Sequence, residues 1–274
     1  MKKFPDFPQE KACIGLLGVA FDENSSYKQG SALAPQRIRE AFFCDSANLW
    51  TEDVTDLGAD GIFADAGDIT PSVANMPLET EQAAGRLYEA GLKVIAFGGD
   101  HSVTYPLVRA AAKHHPNLSI LHFDAHPDLY DNFDNNPYSH ASPFARIMEA
   151  GLAKRLVQVG IRTMIGHQRE QAERFGVEVL TMQRWQDVFN LQFDSPLYVT
   201  FDMDCLDPAF APGISHWEPG GLSTREALSV IQSLRAEIIG ADIVELNPTR
   251  DALGVTEMVA AKVFKELVVK MLKI

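Results

Sequence analysis

Leu118-Ser119-Ile120-Leu121-His122-Phe123-Asp124-Ala125-His126-Pro127-Asp128 changes character halfway along. Its first half is a short, mostly apolar run, the pattern of a strand buried on both faces. Its second half carries Asp124, His126 and Asp128 at every other position, and in extended backbone that spacing puts the three side chains on one side.

Two further stretches have the same form. Val94–Phe97 runs into Gly98-Gly99-Asp100-His101-Ser102, and Leu197–Phe201 runs into Asp202-Met203-Asp204-Cys205-Leu206-Asp207-Pro208. Other apolar runs read as strands at Cys13–Phe21, Arg155–Gly160 and Ile238–Leu246. The amphipathic stretches between read as helices at Pro35–Phe43, Glu79–Ala90, Ser102–His114, Ser142–Ala150, Thr224–Leu234 and Glu257–Leu272. Ser223, three residues before Glu226, forms a capping box. Val259, Val263, Leu267 and Met271 share one face of the last helix, which should dock by that face. Strands alternating with helices pair in parallel, so the expected fold is α/β, a three-layer αβα arrangement around a mostly parallel central sheet. No repeat, low-complexity tract or long polar linker divides residues 1–274, which read as a single domain. Ligands of such sheets bind beyond the carboxyl ends of the strands, which is where the three polar clusters fall.

Composition narrows the partners. Of the 274 residues, 46% are hydrophobic and 22% charged, enough apolar material for a buried core. The formal net charge of −13 repels phosphate backbones and anionic membrane surfaces, so neither nucleic acid nor membrane is an expected partner. No apolar run approaches the roughly 18 residues of a membrane span. Met1–Pro8 has no apolar core or cleavage signal, and the expectation from it is a cytosolic protein. Cys13, Cys44 and Cys205 show neither a disulfide framework nor a thiolate zinc spacing.

Asp124, Asp128, Asp202 and Asp204, gathered with His101 and His126, would repel one another strongly unless positive charge compensates them. A pair of divalent ions does so, and two ions can also activate a shared water at neutral pH. Four carboxylates and two imidazoles with no thiolate favour manganese over zinc. Singly, each cluster has a plain explanation, since an Asp-x-Asp is commonly a capped turn and a lone His in a Gly-rich turn a structural residue. Three of them at strand ends point to a metal site.

The motifs Gly98-Gly99-Asp100-His101, Asp124-Ala125-His126-Pro127-Asp128, Asp202–Pro208 and Val244-Glu245-Leu246-Asn247-Pro248 resemble, in that order, those of the ureohydrolases, the arginase and agmatinase family. The resemblance implies two manganese ions per chain. One would be held by His101, Asp124, Asp128 and Asp202, the other by Asp124, His126, Asp202 and Asp204, with Asp124 and Asp202 bridging. It also implies that Glu245 pairs with a substrate guanidinium, that Asp128 passes a proton to the leaving amine, and that His140 shuttles protons at the site mouth. Asn136, Ser139 and His216 are the implied contacts for the substrate's amino-acid end. His122 is expected to pack or hydrogen-bond beside the site rather than to ligate. Ser139–Glu149 and Ala211–Gly221 look like plant-type arginases, whereas agmatinases usually carry Thr-Gly-Thr-Pro where this chain has Ile214–Trp217. The implied reaction is hydrolysis of arginine to ornithine and urea, in a homo-oligomer. Agmatine or another guanidino compound is the alternative substrate, and formimino-glutamate a more distant one. The chain departs from animal arginases at Thr163-Met164-Ile165, where those place aspartates, and at His216, where they place threonine.

Overall fold

The computed structural model describes residues 2–273. Its strands are β1 (Ile14–Val19), β2 (Phe63–Ile69), β3 (Lys93–Phe97), β4 (Ser119–Phe123), β5 (Arg155–Ile161), β6 (Glu178–Thr181), β7 (Leu197–Asp202) and β8 (Ile238–Val244). Its helices are α1 (Ala34–Phe42), α2 (Met76–Glu89), α3 (Thr104–His114), α4 (Pro143–Glu149), α5 (Gly166–Phe175), α6 (Thr224–Ser233) and α7 (Val255–Leu272). The strands form one sheet in the order β2-β1-β3-β8-β7-β4-β5-β6, and every pairing in it is parallel.

Strand alternation divides the apolar side chains between two cores. Ile14, Leu16, Ile95, Phe97, Leu121, Phe123, Val199 and Phe201 point to the face covered by α1, α6 and α7. Leu17, Val19, Val94, Ala96, Ile120 and Tyr198 point to the face covered by α2, α3 and α4. Phe264 of α7 is fully buried, with the rings of Phe97, Phe42 and Phe63 at 5.0, 5.3 and 5.7 Å. Truncating a residue so placed to alanine costs about 3–5 kcal/mol. The capping box at α6 forms as expected, Ser223 Oγ accepting from the Glu226 amide while Glu226 receives the Ser223 amide.

The three-layer arrangement is as expected, and the sheet is parallel throughout. β2, β6 and α5 are additions to the sequence reading. The four strands that precede the polar motifs are β3, β8, β7 and β4, and these are consecutive in the middle of the sheet. Motifs far apart in the chain thus leave the sheet side by side.

Candidate metal centre and substrate cavity

The Gly98-Gly99 turn lets the β3 end pass under the segment that follows β1. A Cβ on Gly99 would lie 1.7 Å from the Phe21 carbonyl oxygen, so only glycine fits. The Asp100 amide donates to that carbonyl, and the Gly99 carbonyl accepts from the Glu245 amide. Asp100 caps the turn that carries His101, accepting from the Ser102 amide at 3.0 Å, and its other oxygen accepts from the Asn24 amide.

His101 Nδ1 lies 3.2 Å from Asp124 Oδ2, 3.0 Å from Asp128 Oδ2 and 3.1 Å from Asp202 Oδ2, yet it makes no hydrogen bond. The far side of the ring explains why. Thr200 Oγ1 donates to Asp242 Oδ1 at 2.6 Å and so receives a proton from His101 Nε2 at 3.1 Å. In the neutral ring that arrangement leaves Nδ1 as a bare lone pair facing three carboxylate oxygens. Second to this group, His126 Nδ1 lies 3.3 Å from Asp124 Oδ1 and 3.0 Å from Asp204 Oδ2. Asp124 therefore turns one oxygen to each histidine. The remaining oxygens hold the backbone in place: Asp202 Oδ1 accepts from the Asp204 amide, and Asp204 Oδ1 from the Ala125 amide.

Charge in this cluster is unbalanced without a cation. Burial first, then the charges of Asp204 and Asp124, push Asp202 well above the usual carboxylate range. Burial and Asp124 push Asp204 up to about 6. Against burial, His122, His101 and His126 hold Asp124 well below that range. A proton is thus drawn in where a divalent ion would compensate the same oxygens. The lone pair on His101 Nδ1 and the all-nitrogen-and-oxygen donor set fit such an ion.

Glu245 stands where β8 ends, with φ 62°. A side chain other than Gly, Asn or Asp is rarely held in that left-handed region, and such residues cluster at functional sites. Its Oε1 accepts from the His101 amide at 2.9 Å and pairs with His140 Nδ1 at 3.1 Å. None of the described residues hydrogen-bonds Oε2. Although burial opposes it, the Glu245 partnership raises His140 to about 9, and the same contact holds Glu245 below the usual range. The His140 and His216 rings stack at 5.1 Å, and Ser26 Oγ lies 2.9 Å from His140 Nε2 and 3.4 Å from His216 Nε2. These residues, with His126, Asp128, Asp202, Asp204, Tyr130, Thr163, Ile165 and Gln168, line a cavity of about 190 Å³.

The structure brings together His101, Asp124, His126, Asp128, Asp202 and Asp204, and sets Glu245, His140 and His216 beside them. Asn136 and Ser139 are not among the residues that line this cavity. Asn136 Nδ2 donates to Asn24 Oδ1 and its Oδ1 accepts from the Tyr138 amide, so both ends of the side chain are spent within the loops. Ser139 is buried, with Oγ on the Ala141 amide. His122 hydrogen-bonds beside the cluster, as expected. Ser26, Thr200, Gln158 and Asp242 were missed. Asp242 alone left a signal, an acid inside an otherwise apolar strand.

Residues 12–269 match the model of the arginase family. The chain belongs to the arginase family. Relatives within it divide by activity. Arginase 1, mitochondrial, of Arabidopsis thaliana is 46% identical over 96% of this chain and 82% of its own length. Agmatinase of Bacillus anthracis is 30% identical over 100% of this chain and 96% of its own. Among solved structures, the arginase of Medicago truncatula superposes with a TM-score of 0.91 at 43% identity, covering 95% of this chain and 88% of that one. Several relatives at 45–46% identity are named mitochondrial or chloroplastic/mitochondrial. That overturns the expectation of a cytosolic protein, which rested only on the character of the first few residues.

Proposed function

We propose that this protein is an arginase, a single-domain enzyme that hydrolyses the guanidino group of L-arginine to L-ornithine and urea using two manganese ions per chain. The observation that carries the reading is Glu245: a buried carboxylate whose Oε2 is hydrogen-bonded by none of the described residues, in the wall of a cavity that also contains Asp128, His126, Asp202 and Asp204. A planar cation bonds such a carboxylate through its N–H groups. The preference for arginine over agmatine is supported by the 46% identity to an arginase against 30% to an agmatinase.

His101, Asp124, Asp128 and Asp202 would hold one ion and Asp124, His126, Asp202 and Asp204 the other. Once bound, the pair supplies a water activated for attack at neutral pH. Glu245 orients the guanidinium so that its carbon faces the Asp128 side of the cavity. Asp128 takes the proton of the attacking water and delivers it to the leaving amine. His140 is protonated at rest through its bond to Glu245. A second cation on Glu245 loosens the hold on that proton, which equips His140 to give it up as the product amine leaves. The substrate is a small cationic guanidino compound, and we expect the active form to be a homo-oligomer.

Urea release by the manganese-loaded protein, measured against arginine, agmatine and guanidino acids, tests the reading. Arginine should be the best substrate; equal or faster turnover of agmatine would overturn the arginase assignment and leave the metal chemistry standing.

A further inference from the structure

We propose that His140, His216 and Glu245 form a third cation site, one that takes a zinc-class ion and closes the cavity to substrate. One ligand atom from each residue lies within 4.8 Å of the other two. His140 Nδ1 and Glu245 Oε1, at 3.1 Å, already stand at the separation of two ligands on one metal. His216 closes the remaining gap by a side-chain rotation, since it is only partly buried and its ring is stacked on that of His140.

The state of the nitrogens is set by Ser26. Its hydroxyl has one proton for two ring nitrogens, so it accepts from one imidazole and donates to the other. With His140 Nδ1 bonded to Glu245 and its Nε2–H directed at Ser26, the hydroxyl proton goes to His216 Nε2. That makes His216 a neutral ring whose Nε2 lone pair is held only by a long contact to Ser26, 3.4 Å, which a metal ion would replace. Metal binding then displaces one proton from His140 Nδ1.

The donor set separates this site from the neighbouring one. Two imidazoles and one carboxylate with an open fourth position suit zinc, whereas the carboxylate-rich cluster suits manganese. Coulomb repulsion does not forbid a third ion. Two divalent ions would be balanced by Asp124, Asp128, Asp202 and Asp204, and Glu245 adds a further negative charge for the newcomer. Because Glu245 is the proposed seat of the guanidinium, occupancy excludes substrate; this competition rests on the proposed function, while the binding itself does not.

The test titrates zinc chloride into the manganese-loaded enzyme. Elemental analysis should find one zinc added per chain with manganese retained, and inhibition should be competitive with arginine. His216→Ala should weaken both zinc binding and inhibition by roughly tenfold or more, since even outer-shell changes at metal sites reach that size. His216→Cys, which restores a zinc ligand, should recover them. Zinc that replaces manganese mole for mole, or binding and inhibition unchanged in His216→Ala, overturns the proposal. Zinc bound as expected in a protein that prefers agmatine would instead overturn only the assignment of substrate.

Discussion

His122 Nε2 lies 2.7 Å from Asp124 Oδ2, and Gln158 fixes which of them carries the proton. The Gln158 amide nitrogen lies 2.6 Å from the Pro127 carbonyl oxygen, so it is the donor end, and its second hydrogen reaches His122 Nδ1 at 3.0 Å. His122 must then present N–H to Asp124, the carboxylate that faces both histidines of the candidate centre. Burial holds the ring's pKa down, and Phe144 stacks on it at 3.9 Å.

Replacing His122 by Phe keeps the stacking and deletes the donor. Metal retention against a chelator should fall by roughly 10–100-fold, the usual effect of losing a partner of a metal ligand. Gln158→Leu should act in the same direction by freeing the other tautomer. Undiminished retention in both would show that Asp124 needs no such support.

Asp202 and Asp128 should separate binding from turnover. Asp202→Asn removes charge from the proposed bridge and should deplete both ions, read by elemental analysis. Asp128→Asn should retain more metal but lose most of its kcat, because an amide cannot relay a proton. Near-normal kcat in both metal-loaded variants is the result that sinks these roles.

The ion pair of His140 and Glu245 has a pH signature. Raising the ring from 6.5 to about 9 corresponds to roughly 3 kcal/mol of added stability. That stability is fully present below the ring's ordinary pKa, down to the carboxylate range, and is lost as the pH rises through about 9. The Tm advantage of wild type over His140→Asn should therefore be largest at about pH 5–6, below the ring's ordinary pKa, and be mostly gone by about pH 10. A gap that does not change with pH contradicts the pair.

Specificity should show in kcat/KM. The ratio for arginine over agmatine should reach at least roughly a hundredfold, because polar groups placed for the amino-acid end are left unsatisfied by a shorter ligand. His216→Ala should narrow the ratio. Asn136→Ala should slow both substrates alike, since Asn136 braces Asn24 in the loop that carries Ser26. A ratio changed by Asn136→Ala and untouched by His216→Ala would reverse that assignment.

The motif-bearing strands were legible because each joins a continuous apolar run to a polar end. β2 was not, for Phe63-Ala64-Asp65-Ala66-Gly67-Asp68-Ile69 is an edge strand with only Phe63 and Ala64 buried and two acids pairing with Arg39. α5 was lost for a similar reason: Gly166–Phe175 is mostly polar, and of its hydrophobic residues only Ala172 is buried. The histidine and aspartate cluster was readable from spacing alone. Ser26, which lines the cavity, and its neighbour Asn24 were not, because both lie in a loop whose own sequence has no periodicity. Its position depends on bonds to Asp100, Ser102 and His140, which lie far along the chain.

The sheet order also bears on how the molecule comes apart. β2 and β6 are the outermost strands, and the four that bear the site lie inward of β1 on one flank and β5 on the other. Local opening begins where backbone bonds are fewest, so fraying should travel inward from the two margins. Amides of β3, β8, β7 and β4 should be the slowest to exchange with solvent. The residues that must stay within a few ångströms of one another are anchored in the part of the chain that is last to loosen, so partial unfolding can proceed at both borders while the centre remains assembled.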